Sequence, residues 1–301
     1  MNRVATIPLQ TTMASAISRA QGDLAVTQQR IATGKKALDY SDLGTQAPRI
    51  LSARSMIARA DAHAAVGKQV TTTLSIYDAS MGTIDSAVGS LRQTMLQAIG
   101  TGQTTGLQAV IDSAFHQFRN SLNTTERGVA LFGGAQTQDI PFKVDQLANL
   151  VGTTASTVFG NDQVKASAEV SEGLKVQYGV LASEAGNDLY LAFRALAEAG
   201  PIGTTPTAAQ SAKLNEAMGY MDSGLAQLRT VNADNGRKLA EVETLATRSD
   251  ERSLLWQDIV SRNEDADLAQ VAIDLTRQKM VLEASYSVFA QLSKLSLLSY
   301  L

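Results

Sequence analysis

"EDADLAQVAIDLTRQKMVLEASYSVFAQLSKLSLLSYL", residues 264–301, closes the sequence and sets the terms for the fold. Leu268, Val271, Leu275, Leu282, Phe289 and Leu292 follow one another at steps of three, four or seven, while Ile273, Met280, Val288, Leu295 and Leu298 widen the same stripe. Steps of three and four keep one face of a helix in register with a neighbouring helix. Alone in water such a helix is marginal, because packing rather than propensity supplies most helix stability. No residue follows Leu301 in this sequence to lie over the stripe, so its cover is expected from elsewhere.

The other end of the chain offers a match. Met13, Ile17, Ala20, Leu24, Thr27, Ile31 and then Leu38 repeat the spacing, up to "ALDYSDLGTQAP" (37–48), whose Asp, Ser, Gly and Pro predict a loop. Residues 1–60 hold eight basic and three acidic side chains, whereas 241–301 hold six basic and ten acidic ones. Opposite charges of this kind set partner and orientation more than strength. The terminal helices are therefore expected to pack on each other and on copies of the chain, and to be loosely ordered before assembly. The expected assembly interface is Met13, Ile17, Leu24, Ile31 and Leu38 with Leu268, Val271, Leu275, Leu282, Phe289, Leu292, Leu295 and Leu298.

Between the ends the same period recurs. Val70, Leu74, Tyr77, Met81, Ile84, Val88, Leu91, Met95 and Ala98 predict a helix over about 48–99, broken by "GTGQTTG" (100–106). A third helix carries Ile111, Phe115, Phe118, Leu122, Thr125 and Val129 back along it. Period two then appears in Val164, Ala166, Ala168 and Val170 and, after a glycine turn, in Leu174, Val176, Tyr178 and Val180, which predicts a β-hairpin. A short helix is expected at about 188–199, and a long one runs from Leu214 to Val260. Asn235-Gly236 would ordinarily argue for a turn, yet the three-four phase crosses it without a slip, so the helix is kept whole. The fold class is mainly α with a small inserted β unit: a long antiparallel helical bundle whose terminal helices form a coiled-coil pair. Expected segments are a terminal assembly helix at 1–40, bundle halves at 41–134 and 187–262, an outer β-containing unit at 135–186 and a second assembly helix at 263–301.

Composition narrows the function. A net charge of −3 with no basic run argues against a nucleic-acid partner. No apolar run reaches membrane-spanning length, and the N-terminus lacks the apolar core of a Sec signal. The absence of cysteine excludes disulfides, thiolate metal sites and cysteine nucleophiles. Aromatics at 5% suit narrow helical seams better than an aromatic-centred globule. His63 and His116 lack companions at metal-ligand spacing. "GTGQTTG" follows a helix and lacks the Gly-Lys-Ser/Thr ending of a phosphate loop. "NTT" at Asn123 fits a glycosylation acceptor but lies in a helical pattern. Glu264, Asp265 and Asp267 could be metal ligands; an acidic first turn facing the helix dipole, at roughly 0.3–1 kcal/mol per charge, explains them more simply. No catalytic residue, metal or cofactor is assigned, and no enzyme activity is expected.

Four stretches resemble the flagellin superfamily. "QQRIATGKKALDYSD" (28–42) is similar to its N-terminal motif, where a helix ends in a Gly-basic turn, although "ALDYSDLGTQA" departs from the usual form after the glycine. "GVALFGGAQTQDIPF" (128–142) resembles the segment at which the chain leaves the helical body for a β domain. "NADNGRKLAEVE" (232–243) looks like part of the long returning helix. Most specific is 264–301, whose ending resembles the hook-filament junction branch rather than the filament flagellins. The resemblance implies a structural protein of the bacterial flagellum, exported through the flagellar type III apparatus and held in a ring of copies. It also implies the first hook-associated protein, flagellin and an export chaperone as partners. A short filament flagellin is the nearest rival. A coiled-coil scaffold or signalling protein would explain the seams but not the β insertion or "LFGG".

Overall fold

The computed structural model describes the backbone over residues 3–37 and 39–298 and the side chains over 8, 11–37 and 39–291. Its helices are α1 (Arg3–Thr33), α2 (Ala47–Thr101), α3 (Leu107–Leu122), α4 (Ala155–Val158), α5 (Ala182–Glu198), α6 (Ala208–Glu264) and α7 (Leu268–Leu298). Two antiparallel hairpins complete it, β1 (Thr125–Glu126) with β2 (Val129–Ala130), and β3 (Ser167–Ser171) with β4 (Leu174–Gln177). The protein is thus mainly α with a small inserted β unit. It divides into two compact units, one of residues up to 58 with those from 252 onward, the other of 59–251. Both α2 and α6 lend a stretch to each.

In the 59–251 unit the α2 seam from Val70 to Met95 is buried at every position named above. Leu214, Met221, Leu225, Leu228, Val231 and Val242 of α6 are buried as well. α6 passes through Asn235-Gly236 unbroken. Asn235 is buried and donates from Nδ2 to the main-chain oxygen of Leu74 on α2 (2.9 Å), so the residue that elsewhere favours a turn is used to tie two helices. α3 adds Ile111, Phe115, Phe118 and Leu122 to the main core.

Three expectations need correction. α3 stops at Leu122 and does not carry Thr125 and Val129, which belong to β1 and β2. Arg127 (φ 53°) and Gly128 (φ 82°) turn the chain there, and Asn123 pairs with both main-chain groups of Phe142, accepting from its N–H (2.8 Å) and donating to its C=O (2.9 Å). That pair of hydrogen bonds also engages the side-chain amide of the supposed glycosylation acceptor. α5 begins at Ala182 rather than near Asp188. Finally, the few aromatics are not spread along seams: six of the seven phenylalanines, all but Phe289, join one core with Tyr77 and Tyr190. Phe142 meets Phe118 edge-on at 5.3 Å between centroids and Phe159 at 5.6 Å, a geometry worth about 0.5–1.5 kcal/mol per pair beyond buried area.

The "LFGG" turn sits on that core. Phe132 stands edge-on to Tyr77 at 4.9 Å, and the Tyr77 hydroxyl donates to the main-chain oxygen of Leu131 (2.5 Å). Burial pushes the Tyr77 phenol well above its ordinary pKa. Gly134 turns away at φ 69°, and a Cβ there would lie 2.2 Å from Asp162 Oδ1, so glycine is required twice over. Beyond it, β3 and β4 pair Ala168 with Val176 and Glu169 with Lys175. The alternation seen in the sequence delivers Val170 and Val176 to a small core with Val70, Leu74 and Val242.

Candidate assembly surface

The terminal unit carries the residues expected to assemble. α1 and α7 pack side by side, and because the end of α1 is tied to the start of α7 they run antiparallel. Along the shared seam Ile17 and Thr27 are buried, while Met13, Ala20 and Leu24 on α1 and Val271, Leu275, Leu282 and Phe289 on α7 are half-buried. Gln21 and Tyr286 hydrogen-bond across the pair. Ile31 and Leu268, near the joint, are exposed. Leu38 and the side chains of Leu292, Leu295 and Leu298 lie outside the described residues. Ile17 therefore finds cover within its own chain.

One seam does not use up the apolar surface. Ile273 (62% exposed), Met280 (59%), Val281 (54%) and Val288 (44%) form a second stripe on α7, the widening residues of the sequence pattern with Val281 added. Ile273, Met280 and Val288 recur at steps of seven and eight and so share one face, which Val281 flanks. Contiguous exposed apolar surface is the kind that marks interaction sites on proteins.

A compact ionic joint fixes the root of the pair. α1 ends at Thr33, and Gly34 (φ 68°) turns the chain so that Lys35 bridges Asp265. The Lys36 N–H donates to Glu264 O (2.7 Å) and the Ala266 N–H to Gly34 O (2.8 Å). Arg54 of α2 donates from Nε and Nη2 to the two carboxylate oxygens of Glu264 (3.1 and 2.7 Å). Lys35 Nζ lies 2.5 Å from Asp265 Oδ1 and 3.6 Å from Glu264 Oε2. Glu264 is the buried member, its side chain 7% exposed against 49% for Arg54. Hydrogen bonding from Lys35 holds the Asp265 carboxyl below its ordinary pKa, and the same contact raises that of Lys35.

The acidic cluster thus divides its labour, which the reading as a helix first turn did not foresee. Glu264 and Asp265 pair with cations, and only Asp267 serves the helix start, its Oδ1 accepting from the N–H groups of Ala269 (3.0 Å) and Gln270 (3.2 Å), an N-cap. "GTGQTTG" is a pinned turn: the buried Thr104 donates its N–H to Thr204 O (2.9 Å) and its hydroxyl to Gly203 O (2.7 Å). His116 is exposed and His63 half-buried. No group of three or more His, Asp or Glu side chains among the described residues is placed to hold a metal ion, and no helix among them is long and apolar enough to cross a membrane.

Long helices, a β-bearing insertion and two paired terminal helices define a mainly α structural class. Residues 4–137 match the family described as the bacterial flagellin N-terminal helical region. Flagellar hook-associated protein 3 of Escherichia coli (strain K12) is 22% identical over 93% of this chain and 94% of its own length, and that of Salmonella typhimurium is 23% identical over 94% of each. A solved structure assigned to a flagellar hook-associated protein of Vibrio parahaemolyticus superimposes with a TM-score of 0.63 at 16% identity, covering 74% of this chain and all of that one. FlgL of Bacillus cereus gives 0.54 at 16% identity, over 70% and 98%. At such identities the structures speak for the fold. Over nearly its whole length the chain is similar to flagellar hook-associated protein 3, and over residues 4–137 to the flagellin N-terminal helical region.

Proposed function

We propose that this chain is a structural subunit of the bacterial flagellum that joins the hook side to the filament, held in a ring of copies by its terminal helices. The assembly residues are Met13, Ile17, Leu24, Ile31 and Leu38 with Leu268, Val271, Leu275, Leu282, Phe289, Leu292, Leu295 and Leu298, which pair the two terminal helices so that the second stripe of α7 can meet a neighbouring copy. The partners are further copies, the first hook-associated protein, flagellin and an export chaperone, and the route outward is the flagellar type III apparatus. No catalytic role is proposed. The observation that carries the reading is the second stripe of α7, which α1 leaves exposed. Ile273, Met280 and Val288 lie where a neighbouring helix would seat, at the end of a chain similar throughout its length to proteins of that name.

Electron microscopy of a deletion strain tests it. Intact hooks that shed flagellin into the medium are expected, and rescue by the wild-type gene should restore attached filaments. Hooks that keep filaments of altered form would instead favour a filament flagellin, the second reading that the flagellin-type match over 4–137 keeps open.

A further inference from the structure

We infer that the Lys35, Arg54, Glu264 and Asp265 cluster is a latch that locks the α1–α7 pair to the adjoining ends of α2 and α6, and whose opening frees both terminal helices together. This goes beyond the flagellar reading and does not depend on it.

The terminal pair is joined to α2 and α6 through two linkers, 34–46 and 265–267. The first is poorly anchored by apolar contact: its 3-10 turn (Tyr40–Gln46) contains no buried residue and is interrupted at Gly44 (φ 54°, ψ −125°). The apolar core at this level is small, with Ile50, Ala53 and Val260 buried and Leu43, Ile57 and Trp256 packed against them. The hold on the linkers is therefore mainly polar. Lys35 and Asp265 tie one linker to the other, so α1 and α7 share a single attachment. Glu264, the last residue of α6, ties that attachment to Arg54 of α2 and, at 3.6 Å, to Lys35. Lys36 adds a bond from Nζ to Arg262 O (2.6 Å). Bidentate, charge-assisted bonds of this kind specify geometry as well as hold it. With its side chain 7% exposed, Glu264 cannot exchange Arg54 for water without the joint opening.

Amide hydrogen exchange on the full-length chain tests the latch, comparing wild type with Glu264→Gln, Lys35→Met and the double variant. Local opening of a small cooperative unit is what this method reads. Glu264→Gln is expected to raise exchange by about threefold or more across both 11–33 and 268–291, while 59–251 keeps its protection. Because the two residues act in one cluster, the double variant should exceed the larger single effect by less than about twofold. Exchange that rises by less than this in either helix overturns the latch, as does release of one helix without the other. Full multiplication of the single effects, or loosening of 59–251 at the same time, overturns it equally.

Discussion

Gly219 and Gly224 lie five residues apart on α6 for different reasons. A Cβ at Gly224 would stand 2.5 Å from Leu189 Cδ2 and 2.9 Å from the Leu189 main-chain nitrogen, so α5 and α6 approach only because that atom is missing. At Gly219 nothing lies within 4 Å, and the residue is exposed. Gly224→Ala should therefore cost about 1–3 kcal/mol through overpacking, whereas Gly219→Ala should stabilise by up to about 1 kcal/mol through helix propensity. Thermal melts should show shifts of opposite sign. The Lys35–Asp265 pair gives a second prediction at this scale. Asp265 faces Lys35, Lys36 and the Ser261 hydroxyl, with Glu264 and Arg54 adjoining. Its folded pKa is depressed, so its contribution is complete above the ordinary carboxylate value and is lost as pH falls through the lowered one. Lys35, raised, contributes fully below its ordinary value and loses that contribution as pH rises through the higher one. Both side chains are more than two-fifths exposed, so the stake is on the order of 0.2–1 kcal/mol. An NMR titration of the Asp265 carboxyl should give a midpoint below about 3.9, and Lys35→Met should move it upward. A midpoint unmoved by that variant would mean the pair does not form in solution.

At the scale of elements, α7 has two apolar faces with separate duties. Leu282 and Phe289 are half-buried in the chain's own seam, whereas Ile273, Met280 and Val288 are exposed. Replacing Met280 or Val288 by Asp is expected to leave the melt of 59–251 and the α1–α7 pair intact while abolishing incorporation at the hook tip. Leu282→Asp should also loosen the pair, visible as lost helical signal before any assembly is attempted. Equal behaviour of the two classes would show that the faces are not distinct. The helices themselves were legible because each seam is continuous, and the phase across Asn235-Gly236 outweighed the local turn preference. The start of α5 was hidden because its buried residues there are Ala182, Ala185 and Gly186, too small to register as an apolar period. Thr125 and Val129 misled for the opposite reason: they fall at helical spacing, but long-range pairing of Asn123 with Phe142 ends the helix before them. The joint was half legible. The opposite charge of the two ends announced attraction, but Lys35–Asp265 and Arg54–Glu264 span more than 200 residues of sequence, a separation at which spacing carries no pairing information.

For the whole molecule the decisive question is which parts stand alone. The 59–251 unit holds the aromatic core and nearly all large buried side chains, Phe115, Phe118, Phe132, Phe142 and Phe193 among them. The terminal unit has a small core at its root and a two-helix seam of half-buried residues. Two helices with one narrow seam bury too little to resist opening for long, whereas a unit with a contiguous core opens only on global unfolding. Limited trypsin digestion of the free protein should therefore cut first at Lys35 or Lys36, in the linker after α1, and at Arg262, Arg277 or Lys279 around and within α7. The surviving fragment should run from about residue 37 to between 262 and 279 and melt in one cooperative step close to the main transition of the full chain. Early cleavage inside 59–251 would mean that the aromatic core does not hold that unit together. Persistence of intact termini under the same conditions would mean that α1 and α7 are stable as a pair before any neighbour covers them.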